Sequence, residues 1–361
     1  MKKLLLTTAI ASSALLAGNA MAQTTITGQL DLGYKAISSE KTDDGISSMR
    51  GFGKEWQLNI QNKGKLNNGM DYAAGFSLEH DGQQTGSNGL DENVYIDFIK
   101  GNTMFTVGTD HIQHSDRTAA NFVGLIAEDI SNSTGGSLGT DIFLPAVGAD
   151  PAQAYGFGIV QTIPGIAAIS AWYAPTGEGI PAAGNTAFVG NDDSLFENAT
   201  ESAYELGITG SFGVKGLNAH AFMNKRDKAD NAVTADRDTK GYNYGLNYNF
   251  GQVTVGYNYK KTENQTAAGT TVATNKGDIK QNEFGLAYAI SPTLTLGANY
   301  TKAEGTVSAG GTKADATSKS IAVGYNLGPV ALTAQAAKLE DFNGVAGTDA
   351  DVVLVRASTK F

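Results

Sequence analysis

The residues that could support catalysis or bind a metal ion are concentrated in one segment, 110–116, which reads Asp-His-Ile-Gln-His-Ser-Asp. On a helix, His111 and His114 would be three residues apart and could share one metal ion. However, the chain contains no cysteine, and no third ligand stands at a recognisable spacing. The segment also lies where a predicted strand passes into a loop. We therefore interpret it as a solvated loop base or part of a cavity wall, and we predict no catalytic site.

Two acidic patches are the other candidates for ligand binding. Residues 42–45 (Thr-Asp-Asp-Gly) and 191–194 (Asn-Asp-Asp-Ser) could bind Ca²⁺ between loops. Neither has the spacing of a known calcium-binding loop, and solvated turns often have this composition. Gly156 and Gly158 do not form a phosphate-binding loop, because no helix follows them. The sequence predicts no cofactor, and loop-bound calcium is the open alternative.

The first 22 residues have the organisation of a secretory signal peptide. Lys2 and Lys3 precede an apolar stretch, and the segment ends Ala-Met-Ala at Ala22. The stretch is too short, and too interrupted by threonine and serine, to span a bilayer as a helix. We predict two parts: a signal peptide at 1–22, and one exported domain at 23–361 that begins near Gln23.

The composition excludes several protein classes. There are 45 glycines, 29 tyrosines and phenylalanines together, 7 prolines and no cysteine, so disulfide frameworks and thiolate sites are excluded. No apolar run of 18 residues follows the predicted leader, so helical membrane proteins are excluded too. The formal charge of −10 becomes −12 once Lys2 and Lys3 are removed. A broad basic face that binds nucleic acid is therefore not expected.

The dominant signal is alternation of apolar and polar residues with a period of two. Between Gly241 and Phe250, for example, tyrosine, leucine and phenylalanine alternate with glycine and asparagine. This pattern predicts strands with one apolar and one polar face. Sixteen segments show it: 26–36, 53–62, 70–80, 92–100, 103–110, 153–162, 167–175, 201–212, 217–224, 240–250, 253–261, 280–290, 294–302, 318–327, 330–340 and 351–361.

The connectors between these segments alternate between short and long. The longest is 111–152, whereas 101–102, 251–252 and 328–329 contain two residues each. Short turns at one end and long loops at the other are typical of up-and-down transmembrane β-barrels. We therefore predict an all-β fold: an antiparallel barrel of sixteen strands, with short periplasmic turns and long extracellular loops.

Aromatic residues are expected at both ends of the strands, as in the interfacial girdles of membrane barrels. A β-sandwich core is the alternative, but sandwiches rarely sort aromatic residues to both strand ends. The polar faces would line a water-filled interior, since sixteen strands leave an aqueous channel. The expected inward residues include Gln29, Asp31 and Lys35 on the first strand, and Glu55 and Gln57 on the second.

Several stretches resemble the trimeric, sixteen-stranded general porins of Gram-negative (proteobacterial) outer membranes. These are residues 25–33 (Thr-Ile-Thr-Gly-Gln-Leu-Asp-Leu-Gly), 50–53 (Arg-Gly-Phe-Gly), 66–70 (Leu-Asn-Asn-Gly-Met) and 356–361 (Arg-Ala-Ser-Thr-Lys-Phe). The likeness is spread over the predicted mature chain and is mostly one of pattern. The terminal Phe361 resembles the signal that the outer-membrane assembly machinery reads.

The resemblance implies that the loop 111–152 folds into the lumen and narrows it opposite basic residues of the wall. Glu128, Asp129 and Asp141 are the candidates for the acidic side of this constriction, and Lys35, Arg50, Arg117 and Arg356 are the candidates for the basic side. The chain departs from many relatives after Gly108, where Thr109 replaces an arginine, and it lacks their acidic Pro-Glu-Phe-Gly-Gly-type loop segment.

The resulting functional hypothesis is a non-enzymatic porin for passive diffusion of ions and small hydrophilic solutes, with weak cation selectivity from excess carboxylate. The alternatives are a substrate-selective channel, a plugged structural or adhesive barrel, and a barrel enzyme. Small residues at 166–171, 331–337 and in the first strand fit a homotrimer interface, although lipid-facing alanine would explain them equally. The expected partners are outer-membrane lipid, lipopolysaccharide and the assembly machinery.

Overall fold

The alternating segments form sixteen antiparallel strands in a computed structural model of the chain. This structure describes residues 23–39, 48–80, 94–109, 156–175, 202–226, 239–265, 277–304, 315–341, 346–347 and 349–361. The strands are β1 (Gln23–Ser39), β2 (Met49–Lys65), β3 (Asp71–His80), β4 (Val94–Lys100), β5 (Thr103–Thr109), β6 (Gly156–Ile163), β7 (Ala167–Ala174), β8 (Ala203–Gly210), β9 (Leu217–Arg226), β10 (Thr239–Asn249), β11 (Val253–Gln265), β12 (Gly277–Ala289), β13 (Leu294–Glu304), β14 (Ala316–Asn326), β15 (Val330–Glu340) and β16 (Ala350–Lys360). No helix within these residues is long and apolar enough to cross a membrane.

The strands pair in sequence order, and β1 also pairs with β16, so the sheet is a closed barrel. The seam runs from Gln29 opposite Lys360 to Ser39 opposite Ala350. Beyond it, Gly28 and Phe361 exchange two backbone hydrogen bonds of 2.8 and 3.0 Å. Closure leaves no open sheet edge, which a strand structure in hydrocarbon requires. The predicted sixteen-stranded barrel is confirmed.

The short connectors are tight turns at one rim of the barrel. In the turn after β10, the Phe250 amide donates to the Val253 carbonyl at 3.0 Å, and in the turn after β14, the Leu327 amide donates to the Val330 carbonyl at 2.8 Å. Gly251 and Gly328 have φ angles of 96° and 93° in these turns. Such a backbone conformation is open to glycine and strained for other residues.

Several strands extend further toward the long loops than the patterning predicts. β11 continues from residue 261 to Gln265, and β2 begins at Met49 rather than at 53. The added residues on the outer face are polar or charged, such as Glu263 and Arg50. Apolar alternation marks only the part of a strand that meets hydrocarbon, whereas the hydrogen-bond ladder continues past it. The pattern therefore underestimates strand length at this rim.

The two faces of the barrel have the inverse of the polarity of a soluble protein. Large apolar side chains are exposed on the outside, for example Ile321 at 67 % and Val355 at 48 %. Buried polar side chains such as Asn243, Asn258 and Glu283 point inward from the alternate positions. Exposed hydrocarbon around the whole circumference fits lipid as the surrounding solvent.

The inner face also carries one apolar patch, which the patterning does not predict. Ile37, Leu339, Val352 and Leu354 are buried there, together with the alanines of β13 to β16 that face the same way. In the registers of the strands these residues alternate with outward side chains such as Val353. The interior is therefore polar over most of its described wall and apolar toward the loop end of β15, β16 and β1.

Candidate functional site: the barrel interior

The wall of β16, β1 and β2 brings together charges of both signs. Asp31 is directly opposite Glu55 on β2, and Gly33 is directly opposite Arg356 on β16. Lys35, two residues further along, points to the same side, and the charge of Glu55 acts on its ammonium group. The Gln29 amide donates to the Asp31 carboxylate at 2.6 Å. This charge cluster of Asp31, Lys35, Glu55 and Arg356 faces the enclosed space.

The apolar patch lies beside one member of this cluster. Lys35 is opposite Leu354 and follows the inward Ile37 on the same face. Because apolar neighbours exclude water from one side of the ammonium group, its field is less screened than that of an exposed lysine. Glycines at positions 33, 51 and 53 leave the wall around the charged side chains without bulk.

The structure brings together two of the four predicted basic residues. Lys35 and Arg356 lie on adjoining strands and face inward, as their parity indicates. Arg50 does not join them. It is opposite Ala36 on β1, in the same outward set as Phe52, which is opposite Tyr34 and is 86 % exposed. The placement of Arg50 on an inner wall is therefore corrected: it is a strand residue of the outer face, because β2 already begins at Met49.

The other predicted residues of the constriction are in the segment 110–155, outside the described residues. These are Arg117 on the basic side and Glu128, Asp129 and Asp141 on the acidic side. The segment also includes His111 and His114. Among the residues that the structure does describe, no group of three histidines and carboxylates could hold a metal ion.

A second polar wall, on β9 to β12, was not predicted. Here the Lys260 ammonium lies 2.8 Å from the Glu283 carboxylate, with side-chain exposures of 5 % and 0 %. The Asn258 amide donates to the other carboxylate oxygen at 2.9 Å, and the Gln281 amide donates to the same oxygen as Lys260. The carboxylate is thus held by three donors. We call Lys260, Glu283, Asn258, Gln281 and His220 the inner network.

The inner network fixes the tautomer of His220. Its Nε2 lies 2.9 Å from Asn258 Oδ1 and 3.2 Å from Asn243 Oδ1. Because the Asn258 amide nitrogen must face the carboxylate, its oxygen must face the imidazole. Nε2 therefore carries a proton and donates. The ring also stacks on Phe222, with centroids 5.3 Å apart and an interplanar angle of 19°. The network is a rigid polar surface with fixed donors and acceptors.

Part of this network could be read from the sequence. The alternation puts Asn258 and Lys260 opposite the face of Tyr257 and Tyr259. What the sequence does not give is the pairing of Asn258 with Glu283 and of Lys260 with Gln281. That register depends on how the chain between β11 and β12 closes, so the ion pair had no local signal.

Comparisons with known proteins agree with this architecture. No curated protein sequence matches the chain. Among solved structures, an anion-selective porin from Comamonas acidovorans has a TM-score of 0.62 at 13 % identity, with 94 % of this chain and 100 % of that chain covered. A trimer form of OmpT, an outer membrane protein of Vibrio cholerae, has a TM-score of 0.58 at 16 % identity, with 94 % and 99 % covered. A variant of the Rh. blastica porin has a TM-score of 0.58 at 16 % identity, with 94 % and 100 % covered.

These structural likenesses show the fold. The family is shown by the sequence itself: the model that describes Gram-negative porins matches residues 7–344, which is nearly the whole chain. Together with a closed barrel that is apolar outside and polar inside, this match establishes that the chain belongs to the Gram-negative porin family and forms an outer-membrane channel.

Proposed function

We propose that the channel conducts ions and small hydrophilic solutes passively, with weak cation selectivity and without catalysis. The observation that carries this proposal is the inner face: it presents charges of both signs and fixed amide donors and acceptors to one enclosed space. Opposed charges in a narrow aqueous opening orient dipolar solutes and discriminate between ions without binding any of them tightly. Such a lining favours many polar solutes equally and needs no cofactor.

The proposed constriction combines the described wall with the long loop. Lys35 and Arg356 supply its basic side from β1 and β16, and Arg117 is the candidate within the loop. Glu128, Asp129 and Asp141 supply its acidic side from the loop 111–152. Arg50 is left out because it lies on the outer face.

Cation preference is proposed from the charge of the exported chain, −12 without the two leader lysines. An excess of carboxylate attracts cations to the mouths of the channel. The structural neighbour from Comamonas acidovorans is titled anion-selective. The fold is thus compatible with either preference, and the side chains of this chain decide it.

Purified protein in a planar bilayer is expected to form open, roughly ohmic, ion-permeable channels. Under a KCl gradient the reversal potential should have the sign of K⁺ permeability, with a magnitude well below the Nernst potential for K⁺. A chloride-selective reversal potential would contradict the proposed selectivity. The absence of conductance would favour a plugged structural barrel, and saturation of the current by one solute class would favour a substrate-selective channel.

We also propose a homotrimer. The solved OmpT structure is titled a trimer form, and the outer face of β15, β16 and β1 carries small side chains next to one another, including Ala334, Ala336 and Ala357. Small residues let two barrel walls approach closely. The unheated protein is expected to migrate on a denaturing gel as a species of about three subunit masses that falls to one on boiling. A single-subunit band before boiling would contradict the trimer.

The remaining proposals concern export and the membrane. Residues 1–22 are proposed to be a cleaved signal peptide, and a mature subunit that begins far from Gln23 would contradict this. Phe361, which is 69 % exposed at the barrel seam, is proposed as the residue that the assembly machinery reads, and its deletion is expected to delay assembly. Outer-membrane lipid and lipopolysaccharide are the proposed surroundings of the apolar belt.

A further inference from the structure

The outer face carries one lysine on each of seven consecutive strands. All seven point outward near the loop end, because they share the parity of neighbouring apolar or aromatic residues such as Tyr242, Tyr259 and Tyr300. The residues of this lysine belt are Lys225, Lys240, Lys261, Lys280, Lys302, Lys319 and Lys338, on β9 to β15. In β10, β11 and β13 the lysine is the next outward residue beyond the tyrosine.

This position corresponds to the headgroup level of the outer leaflet. Tyrosines mark the boundary between hydrocarbon and headgroups, and the long loops mark the extracellular side. A lysine one outward position beyond that boundary can extend its ammonium group to the level of lipid phosphates. The belt is therefore on the lipid-facing surface and outside the channel.

Six of the seven lysines form pairs that face each other directly across neighbouring strands. These pairs are Lys225 with Lys240, Lys261 with Lys280, and Lys319 with Lys338. Like charges directly opposite each other destabilise a sheet unless an anion lies between them. Three such pairs on one surface indicate that anions are expected there.

One pair shows what fits between two such ammonium groups. Lys319 lies 3.0 Å and Lys338 lies 3.6 Å from the two carboxylate oxygens of Glu340, so both converge on one anionic group. Other carboxylates also reach the belt: Lys261 contacts Glu263 at 2.6 Å and Asp278 at 3.4 Å. Lys302 contacts Asp315 at 2.8 Å and Glu304 at 3.3 Å.

The neighbouring carboxylates do not cover the whole belt. Within the described residues, Lys280 and Lys240 make no ion pair, although Glu304 and Glu263 stand opposite them in the register. Lys319 and Lys338 keep 55 % and 58 % of their side chains exposed, so they remain open to a further partner. A phosphate group can accept several charge-assisted hydrogen bonds at once, so it suits two converging ammonium groups.

We infer that the lysine belt binds the phosphate groups of an anionic glycolipid in the outer leaflet, with each lysine pair as a seat for one phosphate. The inference rests on the proposed membrane surroundings and names which side chains recognise the lipid. Lipid is the source of the phosphate because the belt faces the bilayer and not the lumen.

The test is binding of lipid A to the full mature protein in a neutral detergent, followed by native mass spectrometry. In the variant Lys240→Gln/Lys280→Gln/Lys319→Gln, the affinity for bisphosphorylated lipid A should fall by about fivefold for each lysine removed. The matched control Lys100→Gln/Lys215→Gln/Lys360→Gln removes three charges at the rim of short turns and should bind as the wild type does. The charge-retaining variant Lys240→Arg/Lys280→Arg/Lys319→Arg should also bind normally.

Three further arms complete the experiment. Lipid A without phosphates should bind equally weakly to all variants, and millimolar inorganic phosphate should not displace bisphosphorylated lipid A. Equal affinity of the glutamine variant and the wild type would overturn the inference, as would binding that chelation of divalent cations abolishes and that the lysine substitutions leave unchanged. Channel conductance is recorded on the same preparations: loss of lipid binding with normal conductance refutes only the lipid site, and normal lipid binding without conductance refutes only the channel function.

Discussion

Replacing Glu283 by alanine is expected to lower the free energy of unfolding of the barrel by about 3–5 kcal/mol. The Lys260 ammonium, whose side chain is 5 % exposed, would lose the carboxylate 2.8 Å away. The amide groups of Asn258 and Gln281 would lose their acceptor as well. An uncompensated buried charge and two unsatisfied amides destabilise far more than the loss of the same contacts at a surface. Urea-induced unfolding in lipid vesicles, followed by circular dichroism, measures the change.

The matched control is Glu263→Ala, which removes another lysine-bound carboxylate. Glu263 is 28 % exposed and binds Lys261 at 2.6 Å at the barrel rim, so its loss is expected to change the free energy of unfolding by about 0–1 kcal/mol. The double variant Lys260→Met/Glu283→Leu should recover much of the stability that Glu283→Ala loses, because it leaves no buried charge. Equal effects of Glu283→Ala and Glu263→Ala would show that the inner network does not stabilise the barrel.

The double charge reversal Lys35→Glu/Arg356→Glu is expected to raise the ratio of K⁺ to Cl⁻ permeability on the order of tenfold. Each substitution changes the local charge by two units, and both side chains lie on the same inner wall. The apolar surroundings of Lys35 leave its field less screened than that of an exposed charge. The reversal potential under a KCl gradient, recorded in planar bilayers, reports the ratio.

Arg50→Glu provides the control for this experiment. It makes the same change of charge in the adjoining strand β2 but on the outer face of the barrel. We expect its reversal potential to match the wild type. If Arg50→Glu shifted selectivity as much as the reversal at Arg356, the assignment of the inner and outer faces of β2 would be wrong.

The fold and the two faces were predictable because strand parity is a local property. Alternation assigns Lys35 to the interior without knowledge of its neighbours, and the glycines of short turns, such as Gly251, mark where strands reverse. Once alternate strands are read in opposite directions, the aromatic belts follow as well. These signals need only the nearest few residues of the chain.

The details that depend on distant segments were not predictable. Arg50 was assigned to a loop because the apolar alternation of β2 fades before the ladder ends, and one residue of offset reverses a face. The pairing of Lys260 with Glu283 requires the register between β11 and β12, which no short window contains. The acidic side of the constriction remains a prediction, since Glu128, Asp129 and Asp141 are outside the described residues.

The hydrogen-bonded seam between Gly28 and Phe361 has a kinetic consequence. Every other strand pairing joins neighbours in sequence, whereas this one brings together segments more than three hundred residues apart. The entropy of closing so large a ring must be overcome before the last ladder contributes. Hairpins can therefore assemble early and independently, whereas the final zipping of the first strand to the sixteenth is the slow, cooperative event. A nascent sheet that has not closed exposes two sticky margins until that event occurs.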